Sequence, residues 1–413
     1  MFVALRHRHF RFLWASSVLA FGGHWIQQAT LGWVVYDLTG SAGMLGLVLG
    51  IRVLPIIATL PLAGAAADRF PRRAMLGITQ SVYAAAAAAI GAAVAAGRLR
   101  TWHLFAFVIL TGFAFTFDRT ARQAFVSDLV PAPDIPNAVT LNNIVFSLMR
   151  VLSPALAGYL LVWFGTAGNF AAQCLASLAA VALVLLIPGS AQPAPRVRGS
   201  MWRSIAEGFA WAAADPTTRI VGLFTAVPFL LLTPIWSTLL PVFARDVFDA
   251  GPAALGWMLS AVGLGGVTGG LLSAALARVD RVGWVQAATL GLFCCTLFGI
   301  AWAPDLGRAL PFIFLAGVAE MVNATAGQTV MQVAAPPEMR GRVLSLLQLN
   351  SALISAGSMI AGSGAEHLGA RGVSLVAGAT ALAIGAATVL ASPHLRKLRL
   401  SHYTGRAGET RLR

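Results

Sequence analysis

Long apolar runs alternate with short gaps in which Gly, Pro and most of the charged residues are gathered. The runs fall near residues 12–36, 43–66, 74–96, 102–126, 138–162 and 167–187. After a break they resume at 219–243, 252–277, 283–303, 308–334, 343–367 and 371–391. About 20 residues of helix cross the ~30 Å hydrocarbon layer of a bilayer, so each run predicts one span. The chain therefore reads as an all-α membrane protein of twelve transmembrane helices in two pseudo-symmetric six-helix halves.

The break supports that division. It opens with the Pro-rich GSAQPAPRVRGS and continues as SMWRSIAEGFAWAAADP, where Met201, Ile205 and Phe209 recur every four residues and Arg203, Ser204 and Glu207 take the other face. Such a segment predicts a short helix lying on a membrane surface. The expected organisation is a first half at 1–188, a linker at 189–218, a second half at 219–392 and a basic tail at 393–413. An internal repeat agrees with it. LTGFAFTFDRTARQAFVSDLVP (110–131) aligns without gaps on LAGVAEMVNATAGQTVMQVAAP (315–336), with Gly112 on Gly317, Gln123 on Gln328 and Pro131 on Pro336.

Composition closes off other classes. The chain is 58% hydrophobic and 11% charged, with mean hydropathy +0.77, whereas soluble domains carry about 25% charged residues. A net charge of +14 would suit nucleic acid, but the cations sit between apolar runs, where they orient a multi-span protein. Placing the N-terminus in the cytoplasm puts Arg6, Arg8, Arg11, Arg69, Arg72, Arg73, Arg119, Arg122, Arg340, Arg342 and the tail on that side. Arg98, Arg100, Arg245, Arg308 and Arg371 fall opposite. Both termini are thus expected in the cytoplasm, and no nucleic-acid partner is expected. The N-terminal stretch MFVALRHRHFRFLW lacks a small-residue cleavage site and reads as the lead into an uncleaved first span. Cys174, Cys294 and Cys295 all fall within runs and read as small core residues. With no CxxC, HExxH, GxSxG or phosphate loop, neither enzyme chemistry nor a cofactor or metal is expected.

Ionisable residues inside spans are the candidates for function, because each costs a few kcal/mol at the bilayer centre unless paired or hydrated. His24, Arg52, Arg150 and Glu320 all count to near the midplane of their spans. Two arginines against one glutamate favour an anionic substrate, although an Arg–Glu pair also serves as a structural bridge. Glu320 is the first candidate for a proton carrier, since a carboxylate can take up and release a proton as its surroundings change. His24 is the alternative, with an ordinary pKa close to working pH. Gln27 and Gln28 lie a turn away, and Asn142 and Asn143 are further candidates for a cavity wall. Each equally suits interhelical hydrogen bonding. Asp118 and Arg122 are four apart and can pair on one helix face.

Residues 64–73, GAAADRFPRR, join the second and third runs. This pattern, Gly-x-x-x-Asp-Arg-x-x-Arg-Arg, resembles the signature loop of the major facilitator superfamily of secondary transporters, with Pro71 where the family has Gly. Further stretches resemble its bacterial branch of enterobactin exporters and macrolide efflux proteins. They are RHRHFRFLWASSVLAFGGHWI, FDRTARQAFVSDLVP followed by NAVTLNN, SPALAG at 153–158, EGFAW, and PPEMRGRV at 336–343. The resemblance implies a central cavity between the halves, alternating access and proton-driven export of a small molecule such as a siderophore or drug. It also implies that Asp68 pairs with an arginine of the fourth helix, for which Arg119 and Arg122 are candidates, near the N-terminus of the eleventh. A carboxylate there gains about 0.3–1 kcal/mol, little enough to break on every cycle. Asp68, Arg69, Arg72, Arg73, Asp118, Arg119 and Arg122 are then a cytoplasmic gate. SPALAG resembles the antiporter element of the fifth helix, with Ser153 for its first Gly. The expected partners are a small molecule, protons and the bilayer, and the protein is expected to be a monomer. A non-transporting receptor of the same fold, and an importer, are the alternatives.

Overall fold

The computed structural model describes residues 2–59, 70–188, 209–211, 213–276, 279–336, 339, 350–396 and 398–399, which form helices and short connections with no strand among them. The long helices are α1 (Arg8–Thr39), α2 (Ala42–Gly50), α3 (Arg72–Ala95), α4 (Thr101–Asp128) and α5 (Ile135–Leu185), followed by α6 (Pro216–Val247), α7 (Pro252–Leu276), α8 (Val282–Trp302), α9 (Leu306–Ala334) and α10 (Asn350–Ala391). Nine helical runs among the described residues are long and apolar enough to cross a membrane. α1 is long enough as well, but Ser16, Ser17, His24, Gln27 and Gln28 interrupt its apolar character.

Two of the runs are too long for one crossing. The 51 residues of α5 and the 42 of α10 would reach about 77 and 63 Å as straight helices. Each is broken by a glycine in the left-handed region, Gly165 (φ 65°) and Gly369 (φ 67°), a conformation open to Gly because it lacks Cβ. The chain folds back there: Asn169 Nδ2 donates to the carbonyl of Ala157 at 2.9 Å, although twelve residues of straight helix would separate them by about 18 Å. Likewise Gly364 lies against Val373. These breaks fall in the gaps expected from the apolar pattern.

α2 is interrupted by its own sequence. Pro55 has no N–H and its ring crowds the carbonyl of Ile51, so a turn replaces helix at Ile51 and Arg52 before helix resumes at 53–59. Arg52 therefore stands at a break inside a membrane-length run. α6 is likewise irregular, with π-helical turns at Pro228–Leu232 and Phe243–Val247.

The chain forms two compact units, Met1–Arg198 with Ala244–Ser260, and Gly199–Phe243 with Ala261–Arg413. In the first, Phe10, Leu13, Leu76, Phe125 and Leu141 centre a buried cluster. In the second, Val221, Val282, Val330 and Met331 form another. The end of α6 and the first turns of α7 thus belong to the first unit. There α5 and α7 meet backbone to backbone: a Cβ on Gly158 would lie 2.7 Å from the Pro252 carbonyl, and one on Gly256 2.6 Å from that of Pro154. Pro154 also frees a neighbouring amide, and Ala155 N–H donates to Ser260 Oγ at 3.1 Å. The repeat has the same physical basis in each unit. Gly112 of α4 admits Pro55, which would lie 2.6 Å from an added Cβ, and its counterpart Gly317 of α9 admits the backbone of Val262 and Gly266.

Cys294 is buried and Cys174 half-buried, but Cys295 is exposed. Successive helical residues point about 100° apart, so both members of the Cys294–Cys295 pair cannot face one core, and Cys295 is not a core residue. Of the surface helix expected in the linker, Met201, Arg203, Ser204, Ile205 and Glu207 lie outside the described residues, as do Arg340 and Arg342.

Candidate functional site

Charge in the first unit converges where α1, α3, α4 and α5 meet. Arg122, fully buried, is held by Asp118 one turn back, with Nε to Oδ2 at 3.1 Å and Nη2 to Oδ1 at 3.2 Å. Its remaining nitrogen donates to Ser16 and Ser17 of α1 at 3.3 and 3.2 Å, and its guanidinium lies 5.6 Å from the Phe21 ring. Asp118 in turn accepts from Thr79 and Gln80 of α3 at 3.1 and 2.9 Å. The i, i+4 pairing expected of Asp118 and Arg122 is present, and it ties three helices together. Such a closed network satisfies both buried charges.

Arg119, three residues away, is placed differently. It is exposed and makes no ion pair or hydrogen bond among the described residues, and its guanidinium lies 5.8 Å from the Phe146 ring of α5. Phe146 packs edge-on against Phe21 (5.2 Å) and Trp25 (5.8 Å) of α1, and Arg150 lies 5.7 Å over Trp25. His24 stacks on Phe115 of α4 at 4.5 Å and 17°, within electrostatic reach of both Arg52 and Arg119. Its Nδ1 is buried without a hydrogen-bond partner among the described residues. Cations and aromatic rings thus alternate on one face of the first unit.

The sequence candidates divide between this face and the packing around it. His24 lies within electrostatic reach of Arg52 and Arg119 and beside Trp25, over which Arg150 lies. Gln27 is buried, donating to Thr111 at 3.1 Å and accepting from Gln173 at 2.8 Å, which places it in interhelical packing. Gln28 Oε1 is buried and lacks a partner among the described residues. Asn142 is half-buried on α5. Glu320 is half-buried on α9, in the second unit. Of the signature turn, Asp68 and Arg69 lie outside the described residues. Arg72 pairs with Asp128 at the end of α4 and donates to the Ala124 carbonyl at 2.9 Å. Arg73 donates to the Leu185 carbonyl at the end of α5 at 2.7 Å. Both arginines lie at helix C-termini, where a cation meets the negative end of the helix dipole.

Two features escaped the sequence reading. One is a crossed set of contacts in the first unit: Tyr36 O–H donates to Asp246, and Arg245 donates to Asp37 at 3.0 Å while lying 5.8 Å from the Tyr36 ring. Nothing in residues 36–37 marks 245–246 as partners; only the fold joins them. The other was visible in the repeat. Asp118 aligns with Asn323 and Arg122 with Gly327, and in the second unit Asn323 donates to the Gln286 carbonyl and to Thr289 at 3.3 and 3.2 Å. That bridge between α9 and α8 matches the one from Asp118 to α3, with both charges removed.

A bundle of membrane-length helices carrying buried charge on one face is the build of a secondary transporter, and solved structures agree on the fold. The nucleoside transporter NupG matches with a TM-score of 0.73 at 16% identity, covering 93% of this chain and 98% of that one. A POT family transporter matches with a TM-score of 0.75 at 12% identity, covering 94% and 97%. Within that class, the chain belongs to the transmembrane secretion effector family, whose model matches residues 1–403. It is 27% identical to the multidrug efflux pump Tap of Mycolicibacterium fortuitum, over 94% of this chain and 96% of Tap. It is 25% identical to the staphyloferrin A transporter of Staphylococcus aureus, over 85% and 88%. The protein is a multi-pass membrane transporter of the major facilitator type, not an enzyme.

Proposed function

We propose that this transporter is a proton-driven exporter of a small amphipathic or anionic molecule, working by alternating access. It works as a monomer in the bacterial inner membrane, with both termini cytoplasmic and no nucleic-acid partner. Its twelve helices form halves at 1–188 and 219–392, joined by the linker at 189–218 and followed by the tail at 393–413. The observation that carries this reading is Arg119, an exposed cation nine residues inside α4. A charge at that depth is tolerated where water reaches it, and a water-filled path through a membrane protein is a solute path. The efflux-pump relative supports export over uptake.

In this reading Arg52, Arg150, Gln27, Gln28 and Asn142 serve the substrate cavity. Glu320 carries the proton, with His24 the second candidate. Asp68, Arg69, Arg72, Arg73, Asp118, Arg119 and Arg122 serve the cytoplasmic gate, with Asp118 and Arg122 as its fixed frame. The test is uptake of a fluorescent cationic or anionic drug into inverted vesicles under an imposed pH gradient. Wild type should accumulate it, and Glu320→Gln should insert and bind but lose gradient-driven accumulation. Full coupling in Glu320→Gln together with loss in His24→Asn would transfer the role to His24. No gradient-dependent movement by the wild type would overturn the reading.

A further inference from the structure

We propose that the groove between the start of α6 and the end of α10 binds an anionic phospholipid, with its phosphate between Arg219 and His394 and an acyl chain on Ile220, Ala387 and Ala391. The inference rests on the chain being a membrane protein and is independent of the exporter reading.

The groove is built within the second unit. Its volume is about 630 Å³, and its walls are Arg219 and Ile220 of α6 with Ala387, Ala391, Ser392 and His394 of the other side. Ala387 and Ala391 are one turn apart on the same face of α10, and their small side chains leave the room. Past Ala391 the chain is anchored. Leu395 is buried with its carbonyl against Gly283 of α8, and Leu398 joins the cluster of Val221 and Val282. These anchors hold the turn Pro393–Arg396 against the first turns of α6, so His394 belongs to a packed wall.

Polarity is graded along the groove. Pro216 and Ala391 are the end residues of two membrane-length runs, which puts the mouth at the depth of lipid headgroups. Arg219, Ser392 and His394 stand there, and Ile220 and Ala387 continue the wall without charge. Among the described residues no carboxylate lines the groove. Asp215, four residues before Arg219, caps α6 instead, accepting the Thr218 N–H and hydroxyl at 2.7 Å each. Guanidinium grips phosphate with two parallel hydrogen bonds, and an imidazole keeps an N–H donor in either charge state. Arg396, exposed in the same turn as His394, adds to the positive field. Basic pockets between helices at a membrane surface select anionic headgroups, because a zwitterionic one brings its own cation. The larger groove along Gly77 and Ser81 of α3, about 790 Å³, lacks this build: its lining cation, Arg73, donates to the Leu185 carbonyl.

Native mass spectrometry of the full-length protein in detergent tests the site, with dioctanoyl phosphatidylglycerol and dioctanoyl phosphatidylcholine as probes. The first phosphatidylglycerol should bind about fivefold or more tightly than phosphatidylcholine. Arg219→Gln combined with His394→Gln should remove that preference, and Arg98→Gln, at an exposed cation of the first unit, should keep it. Ala387→Leu fills the groove and should weaken both lipids. Glycerophosphoglycerol, the same headgroup without chains, should compete poorly. Equal binding of the two lipids by the wild type would overturn the site whether or not any variant folds. An unchanged preference in the folded double variant would overturn it too, as when a carboxylate outside the described residues, such as Glu207 or Glu409, already meets Arg219. Full lipid binding by a folded Ala387→Leu would remove the acyl chain from the groove, and competition by glycerophosphoglycerol equal to that of the lipid would make the ligand a free phosphate ester. Either result rejects the phospholipid.

Discussion

Arg119 and Arg122 are the same residue type on one helix, three positions apart, in opposite circumstances. Arg122 is neutralised by Asp118 and bonded to Ser16 and Ser17; Arg119 meets an aromatic face and open space. Removing one partner of a buried ion pair strands the other, at a cost of about 3–5 kcal/mol. Asp118→Asn should therefore lower the melting temperature of the purified protein sharply in a fluorescence scan. The double change Asp118→Asn with Arg122→Met should recover much of the loss, because nothing charged is then left without a partner. The second unit, with Asn323 and Gly327 at those positions, is already built that way. A double variant as unstable as the single would show that the charges themselves hold α1, α3 and α4 together.

Among helices, packing is set by where backbones approach closely. An added Cβ at Gly112 would stand 2.6 Å from Pro55, and at Gly317 it would strike the Val262 carbonyl. Gly112→Ala and Gly317→Ala should each destabilise by about 1–3 kcal/mol through overpacking. Gly77 of α3 has nothing within 4 Å, so Gly77→Ala should instead gain about 0.5–1 kcal/mol from helix propensity. Thermal unfolding of the three variants in one detergent checks the signs. The crossed contacts between the end of α1 and the end of α6 rank by burial. Arg245 and Asp37 are 42% and 59% exposed, so Arg245→Gln should cost about 0–1 kcal/mol. The half-buried Tyr36 hydroxyl bonds a carboxylate, so Tyr36→Phe should cost more, about 1.5–3 kcal/mol. The same scan orders the two.

For the chain as a whole, the distribution of arginine is a prediction about topology. Basic residues near span ends stay on the cytoplasmic side during insertion, so a green fluorescent protein fused after Arg413 should fluoresce and an alkaline phosphatase fused there should be inactive. The reverse pattern would invert the orientation and place the signature turn on the far side. Charge is also unequal between the units: the Asp118–Arg122 bridge of the first is an Asn323 bridge in the second.

Most boundaries of the described helices were legible along the chain, because crossing a bilayer demands a run of apolar residues and interrupts it with Gly, Pro and charge. Gly165 and Gly369 break α5 and α10 in the expected gaps. Spacing alone also announced the pairing of Asp118 with Arg122, since four residues make one helical turn. What the linear order could not carry is which charges remain without a partner. His24 meets Phe115, Arg119 meets Phe146 and Asp246 meets Tyr36 across gaps of many residues. Those encounters depend on how helices rotate and cross, which is decided by the close contacts of Pro55 with Gly112 and of Pro154 with Gly256. Hydropathy sets that a residue lies in the membrane; only packing sets what it faces there.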